Sequence, residues 1–179
     1  GPGPLGQALP YHQACSEQAA AAAALAQAGP ACSASGSLAR ALRLLAAASQ
    51  AAENGPWLLR HQADWLMGWL LGDWRWGEEG NNLRLGWNLQ RQAWSGSIAQ
   101  QRWAPALPEI CASGAVLGSM APKLAERLGL PRHCRVVAGT TDANAGVLAA
   151  APAAGEGITV LGTTLVLKQF SPGPIQGPG

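Results

Sequence analysis

Long apolar runs, each closed by a glycine–proline break, fill the first third of the chain. Ser16 stands before an alanine-rich run that reaches Ala28 and stops at Gly29-Pro30, so residues 17–28 read as a helix. Ser37 opens a second helical stretch with Leu38, Leu42 and Leu45 at helical spacing, and Asn54-Gly55-Pro56 ends it. A third helix is predicted from Trp57 to Leu71, with Leu58, Trp65, Leu66, Trp69 and Leu70 as its apolar positions.

Beyond Gly72 the periodicity loosens through residues 74–88, and Pro105 and Pro108 bracket an irregular connection. Ala115-Val116-Leu117 reads as a short strand and Met120–Leu128 as a short amphipathic helix stopped by Gly129. Arg135–Ala138 reads as a buried strand, followed by helix-forming composition from Asp142 to Ala151. After a break from Pro152 to Gly157, two β-rich runs, residues 158–161 and 165–168, flank Gly162-Thr163-Thr164 as a hairpin. Helices followed by strand, helix, strand, turn and strand fit an α/β architecture better than a bundle. No repeat of solenoid period is apparent.

Composition narrows the field. The 179 residues suffice for one ordinary domain or pieces of two, and 48% are hydrophobic, so a packed core is expected. Net charge is only +2, and the basic residues are scattered from Arg40 to Lys168. No run of them can track a phosphate backbone, which argues against nucleic acid as a partner. The longest apolar stretches fall far short of the roughly 20 residues a membrane-spanning helix needs, so no membrane partner is expected. Cys15, Cys32, Cys111 and Cys134 form no CxxC pair and read as reduced, mostly packed thiols. With no basic and apolar leader pattern at the start, an intracellular setting is expected. Both ends are rich in glycine and proline and the first residue is Gly1, which suggests a piece of something larger.

Three aspartates occur, and one stands in the segment Val136-Val137-Ala138-Gly139-Thr140-Thr141-Asp142-Ala143-Asn144. A carboxylate just past a strand, at the start of a helix, is placed to accept a proton from a substrate hydroxyl. The same position suits an N-cap, with Thr141 or Asp142 satisfying an orphan backbone N–H. The Gly162-Thr163-Thr164 turn offers backbone N–H groups and two hydroxyls to phosphate oxygens, although most such turns only reverse the chain. All eight tryptophans lie between Trp57 and Trp103. Exposed indoles stack on sugars, but Trp65 and Trp69, four apart, read as a core stripe. His61 and Asp64 are spaced to pair on one helix, and a solvated or capping role is expected rather than a triad, because no GxSxG nucleophile motif accompanies them. His133-Cys134 has no partners at metal-ligand spacing.

In combination these segments carry a resemblance. The order VVAGTTDANA, helix, GITVLGTTLVLK is similar to the junction between the two halves of the FGGY carbohydrate kinases, whose fold is actin-like and ribonuclease H-like. Upstream, LLRHQADWLMGWLLG, NNLRLGWN, LPEICASGAVLG and LAERLGLP resemble the cyanobacterial and plant D-ribulose kinase group, often labelled xylulose kinase-like. The likeness runs from about Tyr11 to Phe170.

It implies a partial actin-like α/β fold, with residues 1–152 the later part of the sugar-binding domain and residues 153–179 the start of the nucleotide-binding one. It implies ATP-dependent phosphorylation of a ketopentose, D-ribulose or D-xylulose, with Mg²⁺, in the cytoplasm or plastid stroma. By resemblance Asp142 is the base, Thr141 and Asn144 orient sugar or base, and Gly162, Thr163 and Thr164 line a phosphate loop. The family's first Asp-x-Gly-Thr phosphate loop has no counterpart here, and Gln13 and Cys15 stand where relatives carry an acid and an arginine. The isolated chain is therefore expected to be inactive, with a protein partner or the missing kinase half implied. The alternative is a pseudokinase remnant serving as an interaction module, and a third expectation is sugar binding through exposed tryptophans.

Overall fold

Small side chains let the first elements pack closely. In the computed structural model, which describes residues 3–50, 56–153, 155–162 and 165–171, a 3₁₀ turn at Ser16–Gln18 leads into helix α1, Ala19–Ala26. Helix α2, Ser37–Gln50, follows a second 3₁₀ turn. Leu38 and Ala39 of α2 are fully buried with Cys15, Ala22, Ala31, Ala41, Leu85 and Ile98 in one apolar cluster. Alanine at four of these eight positions leaves little side chain between facing backbones.

Helix α3 spans Gln62–Leu71 and starts later than the apolar pattern predicts. Tertiary hydrogen bonds override helix propensity over residues 57–61. Leu59 N–H donates to the Ala106 carbonyl at 2.8 Å. The Arg60 guanidinium donates to the carbonyls of Trp74, Leu59, Ala106 and Arg75, stapling an extended segment to two neighbouring loops. The helix is also turned relative to expectation. It buries Asp64, Met67 and Gly68, whereas Trp65 and Leu66 are exposed, so Trp65 belongs to no core stripe. The reason is Gly68: its bare Cα receives the indole of Trp74, which a Cβ would meet at 2.4 Å. Trp69 is half-buried against a second cluster of Met67, Cys111, Met120, Leu124, Ala125, Val136 and Ala138, and the Arg127 guanidinium lies 5.5 Å over its ring.

Every sheet among the described residues has two strands. Strand β1, Trp76–Glu78, pairs in parallel with β4, Glu109–Cys111. Strands β2, Trp87–Asn88, and β3, Ala93–Trp94, make a short antiparallel pair in which the indoles of Trp87 and Trp94 meet edge to face at 5.4 Å. Strand β5, Val116–Ser119, runs antiparallel to β6, Arg135–Val137, with an irregularity between Val116 and Gly118. Between these strands lie three short helices: α4 at Glu79–Asn82, α5 at Gly96–Ala99 and α6 at Pro122–Arg127. Helix α6 begins at Pro122 rather than Met120 because the N–H groups of Met120 and Ala121 go to the carbonyls of Cys134 and Leu70.

The chain divides into two compact units, Gly1–Gly139 and Thr140–Gly179. The second holds α7, Asp142–Ala150, and the antiparallel hairpin of β7, Gly157–Leu161, with β8, Leu165–Gln169. Among the described residues no helix is long and apolar enough to cross a membrane.

Candidate functional site

Within the second unit, Thr141 caps α7: it sits in extended conformation and its Oγ1 accepts the Asn144 N–H at 3.2 Å. Asp142 is the first helical residue and is exposed, with Oδ1 accepting the Ala143 N–H at 2.7 Å. Asn144 Nδ2 donates to Thr140 Oγ1 at 3.4 Å, closing the turn on itself. The cap therefore falls to Thr141, and the Asp142 carboxylate faces solvent beside the positive end of the helix dipole.

Lys168 of β8 donates through Nζ to the Ala143 carbonyl at 2.7 Å, tying the start of α7 to the hairpin. Lys168 pairs with Ile158, near the open end of the ladder and about 10 Å from the turn where Gly162 lies. Among the described residues no hydrogen bond joins Gly162 to the Thr140–Asn144 turn. Thr163 and Thr164 lie outside the described residues.

The first unit holds a polar cluster that sequence reasoning missed. Asp64 (0% exposed), Glu78 (2%) and Asn82 (0%) are buried together. Asp64 Oδ1 accepts the Glu78 N–H and Oδ2 accepts Asn82 Nδ2, both at 3.0 Å. Glu78 caps α4, accepting the N–H groups of Gly80 and Asn81 at 2.8 Å and the Asn81 side-chain amide, and it also accepts Ser113 Oγ. The expectation of a solvated Asp64 is thus overturned: its neighbours supply the donors that water would otherwise provide. The one signal in the sequence was Glu78-Glu79-Gly80-Asn81-Asn82, which composition alone reads as a polar loop.

His61 joins this cluster to α2. Its Nδ1 lies 3.4 Å from Asp64 Oδ2 without the alignment of a hydrogen bond, and its Nε2 lies 2.9 Å from Ser37 Oγ. Burial, reinforced by the charges of Asp64 and Glu78, pushes the Cys111 thiol up to about 11. Burial also lowers the Arg60 pKa, opposed by Asp64 and Asp73. A surface cleft of about 510 Å³ borders this region, lined in part by Arg60, Asp73, Trp74, Arg75 and Glu109. The half-buried Arg60 is committed to backbone carbonyls, and Arg75 pairs with Asp73 at 2.8 Å.

Among the described residues no group of three or more His, Cys, Asp and Glu side chains is arranged to hold a metal ion. No protein-family model matches the chain.

Proposed function

We propose that the chain is the central part of a sugar-kinase-type phosphotransferase acting on a ketopentose, D-ribulose or D-xylulose, with Asp142 as the base. The observation that carries this reading is an exposed carboxylate at the first position of α7, just past a strand exit, with its capping duty taken by Thr141. Asp142 accepts the proton of the attacking sugar hydroxyl, and that oxygen bonds to the γ-phosphorus of ATP as the bond to ADP breaks. Asn144 and Thr141 hold the turn that presents the carboxylate. Gly162, Thr163 and Thr164 are assigned to the nucleotide phosphates, for which a glycine with two hydroxyls is a fitting donor set. Mg²⁺ bound with the nucleotide supplies charge neutralisation.

The test is titration of ¹⁵N-labelled chain with each pentulose and with Mg·ATP, beside an assay of ADP release. Amides of Thr141–Asn144 are expected to shift with one pentulose and to stop shifting in Asp142→Asn. No ADP release is expected, because the Asp-x-Gly-Thr phosphate loop is missing. Spectra unmoved by both sugars would sink the reading, and turnover abolished by Asp142→Asn would show that the chain carries a complete site.

A second reading, an interaction module that keeps the fold without the chemistry, is favoured by one observation. Leu161 (82% exposed), Leu165 and Leu167 lie open on one face of the β7–β8 hairpin. Size-exclusion chromatography separates the two: partner-dependent solubility favours the module, a monomer stabilised by nucleotide the kinase.

A further inference from the structure

We propose that Ser37, His61 and Asp64 form a nucleophile, base and orienting carboxylate competent for acyl transfer onto Ser37, with a small carboxylic ester as the acyl donor. All three lie in the first unit, so the inference is independent of Asp142 and of the phosphotransfer reading.

The geometry follows the roles in order. Asp64 is fully buried and fixed by the Glu78 N–H and by Asn82 Nδ2, so Oδ2 is held facing His61 Nδ1. A carboxylate there favours the tautomer with its proton on Nδ1, which leaves Nε2 bare toward Ser37 Oγ at 2.9 Å. The 3.4 Å separation of Nδ1 from Oδ2 is already within reach, and a rotation of the imidazole toward Oδ2 aligns it as a hydrogen bond, a change expected once substrate is bound.

The backbone beneath Ser37 is equally constrained. A Cβ on the buried Gly36 would meet the Ser33 carbonyl at 2.8 Å, so the turn into α2 requires glycine immediately before the nucleophile. Ser37 opens a 14-residue helix whose first N–H groups lack intrahelical partners, and these are the donors assigned to an oxyanion formed at Ser37. Ser37 and His61 are both half-buried, within reach of a small ester from solvent.

In the first step Ser37 Oγ bonds to the ester carbonyl carbon and its proton passes to His61 Nε2. The carbon–oxygen bond to the alcohol then breaks, and His61 returns the proton to the leaving alcohol. Water next attacks the acyl-Ser37 carbonyl, giving its proton to His61. The acyl–Oγ bond breaks, Ser37 recovers its proton, and the acid is released, so ester and water become acid and alcohol.

The experiment treats the folded chain with a fluorophosphonate probe, maps the adduct by mass spectrometry, and follows p-nitrophenyl acetate hydrolysis in parallel. The expected adduct is on Ser37, absent in Ser37→Ala and slowed about a hundredfold in His61→Gln. Because His61 also supports the fold, a second measurement uses the unaltered chain: hydrolysis must fall in proportion to the fraction of Ser37 phosphonylated. An absent adduct, one on another serine, hydrolysis indifferent to labelling, or a folded His61→Gln that labels at the original rate overturns the proposal.

Discussion

Asp64 and Glu78 place two of the chain's ten acidic residues in its interior, where a carboxylate is tolerated only with donors around it. Asn82 is the hinge of that arrangement, since one Nδ2 serves both Asp64 Oδ2 and the Glu78 carbonyl. Its orientation is fixed by those two acceptors, because a flipped amide would set oxygen against carboxylate. Asn82→Ala leaves a buried carboxylate oxygen short of a donor, and urea unfolding should show a loss of about 3 kcal/mol. A loss under about 1 kcal/mol would mean that water reaches Asp64 after all.

Cys111 gives a second test at the same scale. The folded thiol keeps its proton up to about 11, against an ordinary 9.0, so between those values the unfolded chain binds fewer protons. Stability tied to this group is present below pH 9 and falls as pH rises toward 11. Comparing urea melts at about pH 8.5 and pH 10.5, the unaltered protein should lose more stability than Cys111→Ala; equal losses would contradict the burial argument.

Helix α3 shows how one small residue sets the rotation of an element. With Trp74 seated on Gly68, the inward face becomes Asp64, Met67 and Gly68, and Trp65 is left outside. Gly68→Ala drives a methyl into the indole and should cost about 1–3 kcal/mol despite alanine's better helix propensity; a gain in melting temperature would refute the seating.

At helix α7 the two neighbouring polar residues divide their duties, which separates structural from chemical effects. Thr141→Ala should cost about 1 kcal/mol of helix stability, read as roughly fivefold faster exchange of the first-turn amides. Asp142→Asn should cost only about 0.3–1 kcal/mol through the helix dipole. Cost in the reverse order would return the cap to Asp142.

These elements also mark what could be read from the chain. Runs with their own stop signals, Ala19–Ala26, Asp142–Ala150 and the β7–β8 hairpin, are legible because local propensity and breakers agree. The late start of α3, the parallel β1–β4 pair and the Asp64–Glu78–Asn82 cluster were not, since each depends on partners 14 to 46 residues away. The Thr141–Asp142 turn announced itself locally. Ser37 beside His61 did not, because only tertiary packing closes that gap of 24 residues.

At the scale of the whole chain, the two units differ in what holds them. The first contains both apolar clusters and every buried residue among those described, including Leu38, Ala39 and Ile98 at 0% exposure. The second has none: α7 exposes Leu148, and the hairpin carries apolar residues on both faces without burying one. A two-stranded hairpin and a nine-residue helix are each marginal when little apolar surface leaves water. Local opening should therefore cost far less in residues 140–171 than around Leu38 and Ile98. Native-state hydrogen exchange is expected to protect the α2 amides on the order of a hundredfold more than those of β7 and β8. If the pentulose and nucleotide binding proposed above occurs, their addition should narrow that gap by slowing exchange in the second unit, because a ligand that binds only the ordered form stabilises it by mass action. Equal protection of both units without ligand would mean that the hairpin leucines are covered in solution.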